Sequence, residues 1–160
     1  IGMTKFYDHT RPGNMSELSD RSYPVIRLGE LYLIRAEARI RSTTNQDLKG
    51  AAEDITELRK RAVNHEKPEY EEAMKVTEED MTLDFILEER ARELYWEGHR
   101  RSDMIRFGKF TEATVDRYVG VKHSASSLDY QEDKTGYTTV FSIYADILSL
   151  NPNLTQNPGY

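Results

Sequence analysis

Apolar residues recur at helical spacing from Pro24 onward, where VIRLGELYLIRAEARIR continues with Gly29 as its one weak helix former. Proline suits a first helical turn because its missing N–H would have no partner there. The pattern therefore predicts a first helix over about 24–42. At about 100° per residue, Val25, Leu28, Gly29, Tyr32, Ala36 and Ile40 share one face, while Leu31, Ile34 and Ala38 lie opposite. Such a helix is expected to be covered on two sides, leaving Glu30, Glu37 and Arg41 as its polar stripe.

After a short connection, Asn45 to Asp47 offer a cap, and Leu48, Ala51, Ala52, Ile55, Leu58 and Ala62 repeat at three and four residues to about residue 63. A linker of about five residues forces the two helices antiparallel. Residues 64–81 are acidic, contain Pro68 and read as a surface loop. Thr82 then caps a third helix with Asp84 in its first turn, favourable at the positive end of the helix dipole. This helix is expected to run to about Glu97. Its core stripe is Leu83, Ile86, Leu87, Ala91 and Leu94, with Phe85 and Trp96 forming a second packing face on the other side. Gly98 ends or bends it, and His99 to Phe107 can form a fourth, shorter helix.

The rest of the chain has no such period. Residues 1–23 read as looped or extended, with room for a short strand at Thr4 to Tyr7, and from about 111 to 140 Ser, Thr, Gly and Tyr dominate. An irregular stretch of about thirty residues in a domain is usually functional or ordered by something outside it. The last segment, 141–160, offers one short helical turn and two Asn-Pro turns. The expectation is an all-α fold in one domain over 1–160, with a helical hairpin, two further helices over about 24–110 and long irregular loops.

Composition narrows the function classes. With 28 acidic against 22 basic residues the net charge is −6, and the basic residues are spread along the helices, which excludes a nucleic-acid interface as the expected role. The chain contains no Cys, so disulfides and thiolate metal sites are ruled out within it. It carries no apolar run of the ~18 residues that a membrane-spanning helix requires.

Enzyme templates are missing: no HExxH, GxSxG, P-loop or GxGxxG pattern occurs, and His9, His65, His99 and His123 are widely separated. No metal or cofactor is expected. In the third helix and its sequel, Glu89, Arg90, Glu93, Glu97, Arg100 and Asp103 are crowded together. Paired carboxylates can perform acid–base chemistry. Here almost every acid has an arginine within helical reach, so a structural ion-pair network that fixes the angle between the third and fourth helices is the favoured reading. Within it, Arg100 and Asp103 are expected to bond to carboxylates of the third helix such as Glu93 or Glu97.

Leu28-Gly29-x-x-Tyr32 matches the first-helix signature of a tetratricopeptide repeat, in which the glycine admits the partner helix. The second helix starts too late for the 34-residue period of a plain array, so a single divergent hairpin is expected. One such hairpin cannot bury a two-sided helix alone. The chain reads as a piece of something larger.

Taken in order, RLGELYLIRAEA, a helix ending LRKRA, ILEERARELYWEGHRRSDMIRFGKF and NPNLTQNPGY resemble the C-terminal part of the SusD/RagB family. The likeness extends from Lys5-Phe6-Tyr7 to Gly159-Tyr160. It is strongest in Glu89-Arg90-x-x-Glu93-Leu94-x-x-Glu97-Gly98-x-Arg100-x-x-Asp103-x-x-Arg106. One departure is Phe141-Ser142-Ile143-Tyr144, where the family usually has a Phe-Pro-Ile-Pro-like segment.

The resemblance implies a non-enzymatic binding protein, lipid-anchored on the outer face of the outer membrane of Bacteroidetes-type bacteria and several times longer than this chain. It would capture oligosaccharides or other nutrients for import through a SusC-like TonB-dependent porin. The family's sugar-stacking aromatics lie mostly outside the matched region, so no ligand-binding residue carries over. Sugars need an exposed aromatic ring beside hydrogen-bonding groups, and loops supply both. Tyr7, Tyr118, Tyr130 and Tyr137 are the candidates on that ground. Two alternatives stay open: a tetratricopeptide-like protein-interaction adaptor, and a carboxylate-based glycoside hydrolase.

Overall fold

The computed structural model describes residues 24–64, 66–111, 123–124, 127–128 and 135–160. The chain divides into two compact units, Ile1–Arg100 and Arg101–Tyr160, each taken by itself.

In the first unit, helix α1 (Leu28–Arg41) and helix α2 (Leu48–Lys60) form the expected hairpin. Asp47 caps α2, its carboxylate accepting a hydrogen bond of 2.8 Å from the Gly50 N–H. Helix α3 (Leu83–Glu93) packs mainly against α1. Thr82 caps it, its hydroxyl accepting from the Phe85 N–H at 3.1 Å. Asp84 sits in the first turn, as expected. Leu33, Ala36 and Ile40 of α1, Ala51, Ala52, Ile55 and Leu58 of α2, and Ile86 and Leu87 of α3 form the core, with Met81 and Leu94 at the two ends of α3. The alanines let the helices approach closely but bury little area each.

Several boundaries and faces differ from the sequence reading. Helix α1 begins at Leu28, not Pro24, because Arg27 is extended at φ −138° and its carbonyl accepts the first helical N–H groups, from Glu30 and Leu31. Pro24 thus marks the approach to the helix and not its first turn. The stripe of Glu30 and Glu37 is buried, each carboxylate facing a basic side chain. Of the two faces expected to be covered, the one with Gly29, Ala36 and Ile40 is buried at those three positions and 67% exposed at Leu28, whereas the opposite one is open, Leu31 being 50% and Ile34 47% exposed.

The segment expected as a plain loop at 64–81 contains two 3-10 helices, Pro68–Met74 and Glu78–Asp80. Pro68 occupies the first turn of the former, and Thr77 and Asp80 form a reciprocal capping box on the latter. Helix α3 stops at Glu93, short of Glu97, and a turn carries the chain through Trp96, at φ 65°, and Gly98, at φ 78°. The left-handed conformation costs a non-glycine residue on the order of 1–3 kcal/mol. Trp96 is not a packing residue here; it is 68% exposed, while Phe85 is half-buried beneath the guanidinium groups of Arg59 and Arg92.

Helix α4 (Arg100–Arg106) follows the glycine, and the second unit continues from Arg101. Two two-residue strands, β1 (His123–Ser124) and β2 (Ser127–Leu128), pair antiparallel, with His123 opposite Leu128. Most of the stretch 111–140 lies outside the described residues. A 3-10 turn at Tyr137–Thr139 precedes helix α5 (Ala145–Leu150), and turns follow at both Asn-Pro positions. The fold is all-α.

Candidate functional site

The first unit is laced by arginine–carboxylate pairs that join its helices. Asp54, on α2, is buried beside Ala51, Ile55 and Leu58 and accepts from two arginines of α1, Arg35 and Arg39, the latter at 2.8 Å. Glu89, on α3, accepts a bidentate pair from Arg59 of α2 at 2.9 and 2.6 Å and a further pair from Arg92. Burial pushes the Glu89 carboxyl up, but the hydrogen bonds from Arg59 and Arg92 outweigh it and hold the group below the ordinary 4.5.

Arg27, just ahead of α1, spans the C-terminal end of α3. It donates to Glu97 at 2.7 and 2.8 Å, to the Glu93 carboxylate at 2.5 Å and to the Glu93 carbonyl at 2.6 Å. Hydrogen bonding to Glu97 raises the Arg27 pKa further above its already high value. Gly29 makes room for this clamp: a Cβ there would lie 2.5 Å from Arg27 Nη1, 2.9 Å from Glu93 Oε1 and 3.3 Å from Leu58. The glycine of the repeat-like signature thus admits a side chain of α2, as the motif implies, and also an ion pair to α3.

The six charged residues singled out in the sequence are distributed as follows. Glu89, Glu93 and Glu97 meet arginines from beyond their own motif, Arg59, Arg61 and Arg27. Arg90 is buried with Glu30 at 3.9 Å. Arg100 donates to the Leu87 carbonyl and to Glu88, both at 3.0 Å, and not to Glu93 or Glu97. The reason is reach: after the turn through Gly98, its side chain lies against the middle of α3. Asp103 is buried and accepts from Arg106, three residues on, at 3.0 Å.

Sequence reading missed Asp54, Arg27, Arg59 and Arg61. A signal existed for Asp54, which stands three residues after Ala51 and four before Leu58 on the apolar face of its helix. Every acid buried among the described residues faces an arginine. Carboxylates held this way have their oxygens occupied by fixed donors, which suits them to fixing helices and not to proton transfer. Among the described residues no three His, Asp or Glu side chains gather to hold a metal ion.

The second unit contains a cavity of about 410 Å³ at the C-terminal turn, lined by Thr135, Gly136, Tyr137, Val140, Asn157, Pro158 and Gly159. Its volume falls in the ordinary range for small-molecule sites. Tyr137 enters it from the 3-10 turn. Gly159, at φ 97°, lies so close to the Tyr137 ring that a Cβ would collide with it. The Tyr160 ring meets Tyr137 edge-on at 5.1 Å, and its hydroxyl donates to the Val140 carbonyl at 2.8 Å. Asn157 donates to the Phe141 carbonyl at 2.7 Å, and Gln156 exchanges hydrogen bonds with both backbone groups of Ile143. These bonds pin the last residues beneath the tyrosine. Of the four candidate tyrosines, Tyr137 is the one within the described residues; Tyr7, Tyr118 and Tyr130 lie outside them.

The sequence profile of the SusD family matches residues 1–160, the whole of the chain. The chain belongs to the SusD family. Among relatives, it is 35% identical to the starch-binding protein SusD of Bacteroides thetaiotaomicron over 156 residues, which is 94% of this chain and 24% of that protein. The chain thus spans about a quarter of the length of that SusD-family relative. No helix among the described residues is long and apolar enough to cross a membrane.

Proposed function

We propose that the chain is part of a non-catalytic surface protein that binds glycan, and that it contributes mainly the rigid helical support of the binding protein. The observation that carries this reading is the 35% identity, over 94% of the chain, to a starch-binding protein. The ion-pair lattice supports the non-catalytic part, since the acids buried among the described residues are engaged with arginines. The full protein would sit on the outer face of the outer membrane through a lipid anchor. There it would pass oligosaccharides or other nutrients to a SusC-like TonB-dependent porin.

Any saccharide contact from this chain would come from its irregular segments. Tyr137 fits that role best among the described residues: it lines a cavity and offers an aromatic ring and a hydroxyl beside the polar Thr135 and Asn157. Isothermal titration of the full-length protein with a panel of oligosaccharides, starch fragments included, tests the reading. Binding without release of reducing sugar is expected. Sugar release, or no binding across the panel, overturns it. A Tyr137→Ala variant with unchanged affinity places the saccharide contacts elsewhere in the protein.

A further inference from the structure

Arg101, in the first turn of α4, reaches the 3-10 turn that carries Tyr137. Its Nη2 donates to the carbonyls of Thr138 and Thr139 at 3.0 and 3.1 Å. The last carbonyls of a short helix find no donors within it, and a cationic donor complements that end. The same guanidinium lies over the Phe110 ring at 4.5 Å and over the Phe141 ring at 4.2 Å. Stacking of this kind holds the planar group in place while it donates. The turn is also closed on itself: Gly136, at φ 74°, accepts from the Thr139 N–H at 3.1 Å and from its hydroxyl at 2.7 Å. Tyr137 is the first residue of this turn, so the direction of its ring follows from where the turn is held. Gly159 and Tyr160 bound the ring on its own side. All of these residues belong to the second unit.

We propose that Arg101 is a positioning residue for saccharide binding at the Tyr137 cavity: it holds the 3-10 turn so that the tyrosine ring already stands at the cavity before a ligand arrives. Arg101 does not line the cavity and acts only through the turn. A ring fixed beforehand spares the ligand the cost of ordering it, and that saving appears as affinity. Lysine would keep the charge and the donors at this position but not the planar group that meets the two phenylalanine rings. The proposal rests on the reading of Tyr137 as a saccharide contact and deepens it by naming what fixes the ring.

The test is a double-mutant cycle in the full-length protein, read by isothermal titration with the tightest-binding member of an oligosaccharide panel that includes maltoheptaose. Arg101→Met is expected to weaken binding about three- to tenfold, the factor set by ordering one side chain at the moment of binding. In a Tyr137→Ala background the same change should have no further effect, because Arg101 then has no ring to position. Equal losses in the two backgrounds show a general structural role and overturn the proposal. A loss in Tyr137→Ala with unchanged affinity in Arg101→Met also overturns it, and leaves the tyrosine contact standing. Unchanged affinity in Tyr137→Ala, or no binding across the panel, removes the contact and the proposal with it. Should Arg101→Met misfold, Arg101→Lys is expected to show a smaller loss of the same pattern, present with Tyr137 and absent without it. Undiminished affinity in Arg101→Lys, or a loss that persists without Tyr137, overturns the proposal.

Discussion

Replacing Arg27 by Met removes a guanidinium that makes four hydrogen bonds across 66 to 70 residues of sequence, from the start of α1 to the end of α3. The methionine keeps most of the aliphatic stem, so the loss is electrostatic more than steric. Its main consequence falls on Glu97, whose side chain is 2% exposed. Glu93 keeps the two hydrogen bonds it accepts from Arg61, at 2.7 and 2.8 Å. Hydrogen bonds to charged groups contribute about 1.5–3 kcal/mol each, but they do not add, and breaking a buried pair from one side costs about 3–5 kcal/mol. The expected destabilisation of Arg27→Met is therefore about 3–5 kcal/mol. Urea unfolding followed by far-ultraviolet circular dichroism measures it, with the denaturant slope expected to stay constant. Adding Glu97→Gln should recover part of the loss, because one buried carboxylate charge then no longer has to be offset. A cost below about 1 kcal/mol, or no recovery in the double variant, would refute the clamp as a desolvated ion pair.

Further outcomes follow from the same contacts. Leu87→Ala, at a side chain 4% exposed in the core, should cost about 2–5 kcal/mol in urea unfolding. Because the folded Glu89 carboxyl titrates below its ordinary 4.5, its contribution is present above that value and is lost as pH falls through the lower folded value. The acid limb of the stability–pH curve should therefore be shallower in Glu89→Gln. Tyr144 precedes α5 at φ −62°, an angle proline also adopts. Tyr144→Pro should accordingly leave thermal stability unchanged or raise it by up to about 1 kcal/mol, and clear destabilisation would show that the segment needs the Tyr144 N–H or ring.

Local features are legible in the sequence, and long-range ones are hidden. The caps Asp47 and Thr82, the short connection of the hairpin and the stripe of Ile86, Leu87 and Leu94 depend on residues within a few positions of each other, and each appears where the pattern places it. The phase of α1 is misread from sequence because Glu30 and Glu37 look solvent-facing, and their burial depends on basic partners, some of them about 60 residues away. The crowded charges of α3 are visible as a network. Their cross-helix partners are not, since nothing in a helical period announces that Arg27, Arg59 and Arg61 converge on one face. The 3-10 segments have short-range signals, Pro68 and the Thr77-to-Asp80 box, that acidity alone obscures.

The division of labour in the first unit gives the charges a distinct meaning. Its core is thin, with three alanines among the buried residues of α1 and α2, and burial of that size contributes little against the cost of ordering three helices. Desolvated ion pairs do not supply the missing stability, because what they gain in attraction they largely return in desolvation. They do set geometry: a bidentate Arg59–Glu89 pair and the Arg27 clamp are satisfied at one arrangement of the helices and broken at others. The lattice thus orients α1, α2 and α3, while much of their apolar surface, Leu28, Leu31 and Ile34 included, faces outward. A helical layer built in this way owes its orientation to pairs that are met at one geometry and its modest stability to a core of small side chains.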